Sequence, residues 1–183
     1  LWVLSSDWIM YRREGEEEFR LMRDDSGYDT LPFFSMCEDK YGLWFGSQGC
    51  IYRYTFDDGQ FVMFRNFEGR ETFFCSHVNI LDESTVICSS SNGNIIVDTG
   101  TGELKEAPEW PFSEVSGIMT DSHGRLWLAF YNNGIHVYEK DGTYIRSYTT
   151  ENSGLSNDLV TCFTEKGSKI WAGTDGGGIN IID

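Results

Sequence analysis

The chain has 183 residues and a formal charge of −15, from 14 lysines and arginines against 29 aspartates and glutamates. A field of that sign repels a phosphate backbone, so direct nucleic-acid contact by this segment is excluded, and strongly anionic polysaccharides are disfavoured beside neutral ones. No apolar run reaches the ~18 residues that a membrane helix needs and no signal-type N-terminus stands at the start, so the expectation is a segment without a membrane span, addressed by other parts of its protein.

Taken in chain order, the elements fall around a recurring anchor. Trp2 opens the series in Leu1-Trp2-Val3-Leu4, with a short turn around Asp7. Trp44 follows 42 residues later in Leu43-Trp44-Phe45-Gly46, with its turn around Gly49. Another 42 residues lead to Val86 in Thr85-Val86-Ile87-Cys88, the one slot without a tryptophan. Trp127 comes after 41 and Trp171 after 44. In the last three units a glycine (Gly93, Gly134, Gly178) precedes an apolar stretch that ends on Asp98, Glu139 or Asp183, each twelve residues beyond its anchor. A steady period of this size means like supersecondary units packed side by side.

Short runs of Trp, Tyr, Phe, Ile and Val between Gly, Asn and Asp are strands with turn punctuation. The 20 glycines leave no window in which a helix of ten or more residues survives. In the fourth unit the spacing predicts strands at Val115 to Thr120, Leu126 to Phe130, Ile135 to Tyr138 and Tyr144 to Tyr148, joined by Asp121-Ser122-His123-Gly124, Asn132-Asn133-Gly134 and Asp141-Gly142. The first unit begins at its second strand and the last ends after its third, which predicts 18 strands. Four strands every ~40 to 45 residues is the signature of an all-β fold, a β-propeller of four-stranded antiparallel blades. About four and a half blades are expected, as partial 1–29, then 30–70, 71–111, 112–153 and partial 154–183. The two partial units do not add up to one shared blade, so a piece of a longer array is expected.

The units resemble two-component regulator propeller repeats. The resemblance rests on Gly154-Leu155-Ser156-Asn157-Asp158-Leu159-Val160, followed by Ile170-Trp171-Ala172-Gly173-Thr174 and Gly177-Gly178-Ile179, and on Asp39-Lys40-Tyr41-Gly42-Leu43-Trp44-Phe45-Gly46 and Asp121-Ser122-His123-Gly124-Arg125-Leu126-Trp127. It is strong from residue 115 onward and weak between 70 and 110, where Val86 and Cys88 replace Trp and Gly. What it implies is a sensor segment on the periplasmic side of the inner membrane, part of a hybrid two-component regulator of Bacteroides type. In that family an oligosaccharide ligand rearranges a homodimer and so switches a histidine kinase that controls glycan-utilisation genes. The partners implied are the oligosaccharide, the remaining blades, the downstream domains and a second copy. No family-wide ligand motif maps onto individual residues, and no cofactor is implied.

Cys37, Cys50, Cys75, Cys88 and Cys162 are odd in number and show no C-x-x-C spacing, so neither a zinc site nor a disulfide framework is expected. They read as small buried hydrophobes, with the proviso that an oxidising compartment presses any adjacent pair to bond. His77, His123 and His136 are scattered, and no catalytic or metal residue is predicted. The segment therefore reads as a non-enzyme, with a protein-binding scaffold as the alternative and a carbohydrate-active propeller enzyme behind it. The clusters Glu16-Glu17-Glu18, Asp24-Asp25 and Asp57-Asp58-Gly59 read as solvated turns, since they lack calcium-loop spacing. Most of the 28 Trp, Tyr and Phe residues fall in repeated slots that demand bulk for packing. Trp8, Trp110 and Tyr131 lie outside those slots and are the aromatic candidates for ligand stacking.

Overall fold

The described residues form five small antiparallel sheets. The first holds β1 (Trp2–Leu4), β2 (Ile9–Tyr11) and β3 (Arg20–Leu21). The second holds β4 (Phe33–Asp39), β5 (Gly42–Ser47), β6 (Ile51–Thr55) and β7 (Phe61–Phe64). The third holds β8 (Cys75–Asp82), β9 (Thr85–Ser90), β10 (Ile95–Asp98) and β11 (Leu104–Glu106). The fourth holds β12 (Val115–Thr120), β13 (Leu126–Phe130), β14 (Gly134–Tyr138) and β15 (Tyr144–Tyr148). The fifth holds β16 (Val160–Lys166), β17 (Lys169–Thr174) and β18 (Gly178–Ile182). The computed structural model describes residues 1–5, 8–22, 32–65, 74–90, 93–107 and 115–183, so Trp110 and Asp24-Asp25 lie outside the described residues.

The fourth unit matches its expected strands, except that β14 begins one residue earlier, at Gly134. The blade count differs from expectation. The molecule is a five-bladed propeller rather than one of about four and a half blades, because the first and last units, each with three described strands, form sheets in their own right. Three paired strands with an apolar face against a neighbour are enough for a stable unit.

The first strands β4, β8, β12 and β16 each pack on the next one along, which places them innermost. Four apolar clusters fill the spaces between successive blades. Ile9 and Met22 meet Leu43, Phe45 and Tyr52, and Trp44 and Ile51 meet Cys75, Val78 and Val86. Leu81 and Ile87 meet Leu126, Leu128 and Phe130, and Trp127 and Ile135 meet Val160 and Ile170. A single sheet cannot bury both its faces, so each blade is stabilised by its neighbours. Trp44 and Trp127 are buried in these seams, each burial contributing on the order of 5 kcal/mol before entropy is counted. Gly46 shows how tight a seam is: a Cβ there would lie 2.6 Å from the carbonyl oxygen of Cys75 in the next blade.

The cysteines depart from expectation. Cys75 and Cys88 form a disulfide with their Cα atoms 5.8 Å apart, while Cys37, Cys50 and Cys162 are free. Across the β8–β9 pair Cys75 stands opposite Ser90, two residues from Cys88, so the two cysteines are diagonal neighbours on one face of the sheet. Neither cysteine belongs to a spacing motif that would announce it. Among the described residues no helix is long and apolar enough to cross a membrane.

Candidate functional site

Up-and-down strands divide the connections between two ends of the propeller. The β4–β5, β8–β9, β12–β13 and β16–β17 turns lie at one end, and the turns from the second strand to the third lie at the other.

At the first end, acids organise the turns. Asp39 accepts hydrogen bonds from the backbone N–H of Tyr41 and Gly42, both at 2.7 Å, and from the Trp44 indole Nε1 at 2.9 Å. Asp121 accepts from the backbone N–H of His123 at 3.0 Å and of Arg125 at 2.9 Å, from Arg125 Nε at 2.7 Å and from Trp127 Nε1 at 2.8 Å. Burial pulls the Asp121 carboxyl upward, but the bonds from Trp127 and Arg125 outweigh it and hold its pKa below the ordinary value.

In the third and fifth units acids near the same turns reach a neighbouring blade instead. Asp82 pairs with Lys140 of the fourth blade and accepts the Ser84 backbone N–H at 2.7 Å. Burial again raises its pKa, and Lys140, Ser84 and Thr85 together outweigh that, leaving the carboxyl at about 2. Glu165 accepts the backbone N–H of Ser122 at 2.7 Å and its hydroxyl at 2.6 Å.

Between the turns of the second, third and fourth blades lies a cavity of about 560 Å³, lined by Tyr41, Ile80, Leu81, Glu83, Thr120 and Ser122 among others. Tyr41 is 52% exposed, and Lys40 Nζ lies 4.8 Å from its ring centroid. Asp39, Asp82 and Asp121 also border this basin, but each is committed to the contacts above. The basin therefore offers an aromatic surface, apolar walls and hydroxyl groups, which suit stacking and hydrogen bonding of an uncharged polar ligand rather than acid–base chemistry. A larger groove of about 650 Å³ between the first two blades is lined by Trp2, Tyr11, Tyr54 and Phe56. Those rings pack on one another, with Trp2 stacked on Phe56 at 6.1 Å, so that groove belongs to the inter-blade seam.

Of the residues singled out from sequence, Trp8 and Tyr131 lie at the opposite end. Trp8 stands between β1 and β2 at 43% exposure, and Tyr131 between β13 and β14 at 52%. Phe34 and Phe74 join them at that end, from the second and third blades, with ring centroids 4.3 Å apart and both rings exposed. Sequence reasoning passed over this pair because both fall at strand starts and read as packing, although the doublets Phe33-Phe34 and Phe73-Phe74 recur in the two units. Tyr41 was missed because the turn slot it fills carries a different residue in every unit.

The histidines remain apart: His77 on β8, His123 in the β12–β13 turn and His136 on β14. Burial lowers the pKa of His77 and of His136. Among the described residues no group of three or more His, Cys, Asp or Glu could hold a metal ion. The Asp57-Asp58-Gly59 cluster is a turn in which Asp58 accepts the Thr55 hydroxyl and the backbone N–H of Gln60.

No protein-family model matches the chain and no curated protein matches its sequence. Solved structures do resemble it. The extracellular domain of a hybrid two-component system from B. thetaiotaomicron aligns over 98% of this chain and 25% of its own, at 18% identity and a TM-score of 0.74. A second such domain from the same organism aligns over 82% of this chain and 23% of its own, at 17% identity and a TM-score of 0.62. Virginiamycin B lyase from Staphylococcus aureus aligns over 99% of this chain and 68% of its own, at 14% identity and a TM-score of 0.65. The chain thus spans about a quarter of the length of the two-component domains it resembles. At these identities the likeness establishes the propeller fold.

Proposed function

We propose that the chain is a ligand-sensing segment of the extracytoplasmic, periplasmic region of a hybrid two-component regulator, and that its ligand is a neutral oligosaccharide. The observation that carries this reading is the likeness of almost the whole chain to the extracellular domain of such a system. The −15 charge favours an uncharged ligand, and an exposed tyrosine beside an open basin is a surface on which a sugar ring stacks. On this reading the partners are the remaining blades and downstream domains of the same protein and a second copy, and the segment itself catalyses nothing.

The test is calorimetric titration of the intact extracytoplasmic region, and separately of this 183-residue chain, with a panel of neutral and acidic oligosaccharides. Saturable binding that Tyr41→Ala removes places the ligand in the turn-end basin. Binding that instead disappears in Trp8→Ala or Tyr131→Ala places it at the opposite end, and loss in Trp110→Ala assigns the ligand to that residue. No saturable binding by the intact region would refute the reading in favour of a protein-contact scaffold.

A further inference from the structure

The third blade lacks each of the devices that hold the anchor tryptophan in the second and fourth blades. In the second blade Trp44 donates to Asp39, stacks on Phe64 at 5.4 Å and lies under Arg53 at 5.0 Å. In the fourth, Trp127 donates to Asp121, stacks on Tyr148 at 5.7 Å and lies under Arg125 at 5.9 Å. The third blade has Val86 in the anchor slot, and its acid, Asp82, is committed to Lys140. Strand register aligns Glu106 with Phe64 and Tyr148, so the stacking ring is gone as well. What the blade has instead is a covalent bond. Cys88 occupies the slot of Gly46, Ala129 and Gly173, facing Ile95 as those face Ile51, Ile135 and Ile179. Its partner Cys75 presses against Gly46 of the second blade, in the same cluster as Trp44, Ile51 and Val86.

We propose that the Cys75–Cys88 disulfide is the structural replacement for the missing tryptophan anchor, and that the chain therefore reaches its full stability only in a thiol-oxidising compartment. Two thiols must give up two protons and two electrons. The thiolate of one cysteine attacks a disulfide oxidant, the second cysteine displaces the oxidant from the mixed disulfide, and the oxidant leaves as its dithiol. Both sulfurs then lie in residues with no exposed surface, beyond the reach of a reductant until the blade opens. Cys37 packs against the same cluster, but burial, reinforced by the charge of Asp39, pushes its thiol pKa upward. It is held as a thiol rather than the thiolate that would reshuffle the bond. This inference stands on the seam between two blades and is independent of any ligand.

The first measurement is alkylation of the chain, recovered from an oxidising compartment, in denaturant without reductant, followed by peptide mapping. The expected result is a peptide pair joined through Cys75 and Cys88, with Cys37, Cys50 and Cys162 alkylated. Five alkylated cysteines would overturn the proposal. The second is thermal unfolding after the reduced, unfolded chain is refolded with an oxidised glutathione couple or with excess dithiothreitol. The expected Tm is lower in dithiothreitol by roughly 5–10 °C. An unchanged Tm would overturn the proposal. Cys75→Ala with Cys88→Ala should show the lower Tm under both conditions. Should that variant fail to fold, Cys37→Ser with Cys162→Ser keeps the test decisive, because it must retain both the wild-type Tm and its response to dithiothreitol.

Discussion

Replacing Asp121 with alanine removes four hydrogen bonds from one carboxylate that is itself only 4% exposed. Two of its donors are backbone groups of the β12–β13 turn, one is the indole of a tryptophan at 3% exposure, and one is an arginine whose side chain is 39% exposed. The arginine is discounted because water screens it. The stranded indole N–H costs about 1–3 kcal/mol, and the loss of two charge-assisted bonds to the turn brings the total to about 3–5 kcal/mol. For a chain of this size that corresponds to a fall in Tm of roughly 10 °C. Urea denaturation followed by tryptophan fluorescence measures it, and a double-mutant cycle with Trp127→Phe isolates the indole bond at about 1–2 kcal/mol. A loss below about 0.5 kcal/mol for Asp121→Ala, or strict additivity in the cycle, would refute the reasoning. The sign with pH follows from the depressed folded pKa. The contribution is complete above the unfolded aspartate value of about 4 and disappears as pH falls through the lower folded value.

Asp82→Asn should cost less than about 1 kcal/mol at neutral pH, because its partner Lys140 is 55% exposed and the pair is screened, and 1 M salt should shrink even that difference. Its contribution is present above about pH 4 and is lost as pH falls toward the folded value of about 2, so wild type and variant should converge in acid denaturation curves. Gly46→Ala should destabilise by about 1–3 kcal/mol, since the new methyl meets the backbone of Cys75, with loss of both blades' near-UV circular dichroism at a lower temperature as the readout. Gly124→Ala, where nothing lies within 4 Å but φ is +80°, should cost only about 1 kcal/mol in the same assay.

The repeat was legible because packing between blades demands the same bulky residue at the same place in each unit. Trp2, Trp44, Trp127 and Trp171 thus reported the period, and the turn chemistry of Asp121-Ser122-His123-Gly124 and Asp141-Gly142 reported strand ends almost to the residue. The disulfide escaped because its partners are diagonal neighbours across the β8–β9 pair, a property of strand register that no spacing of two cysteines encodes. The different roles of the acids escaped for a related reason. Asp121 and Glu165 both stand six residues before a tryptophan, yet Glu165 is paired within β16 opposite Ile170 while Asp121 lies just past β12, so one binds its own indole and the other reaches the fourth blade. Tyr41 was hidden by its variable slot, whereas Trp8 and Tyr131 could be picked out because they break the repeat.

The acids that reach a neighbouring blade also bear on how the molecule comes apart. Asp82 from the third blade and Glu165 from the fifth both end on the fourth, at Lys140 and Ser122, and Asn79 and Ser116 add hydrogen bonds across the same two seams, to Thr120 and to the Val160 carbonyl. In an array where each repeat touches only its neighbours, a repeat tied on both sides cannot open without breaking two interfaces together. The fourth blade, joined to both neighbours by side-chain bonds as well as by apolar clusters, is expected among the slowest elements to exchange its amide protons, with the outer blades losing order first.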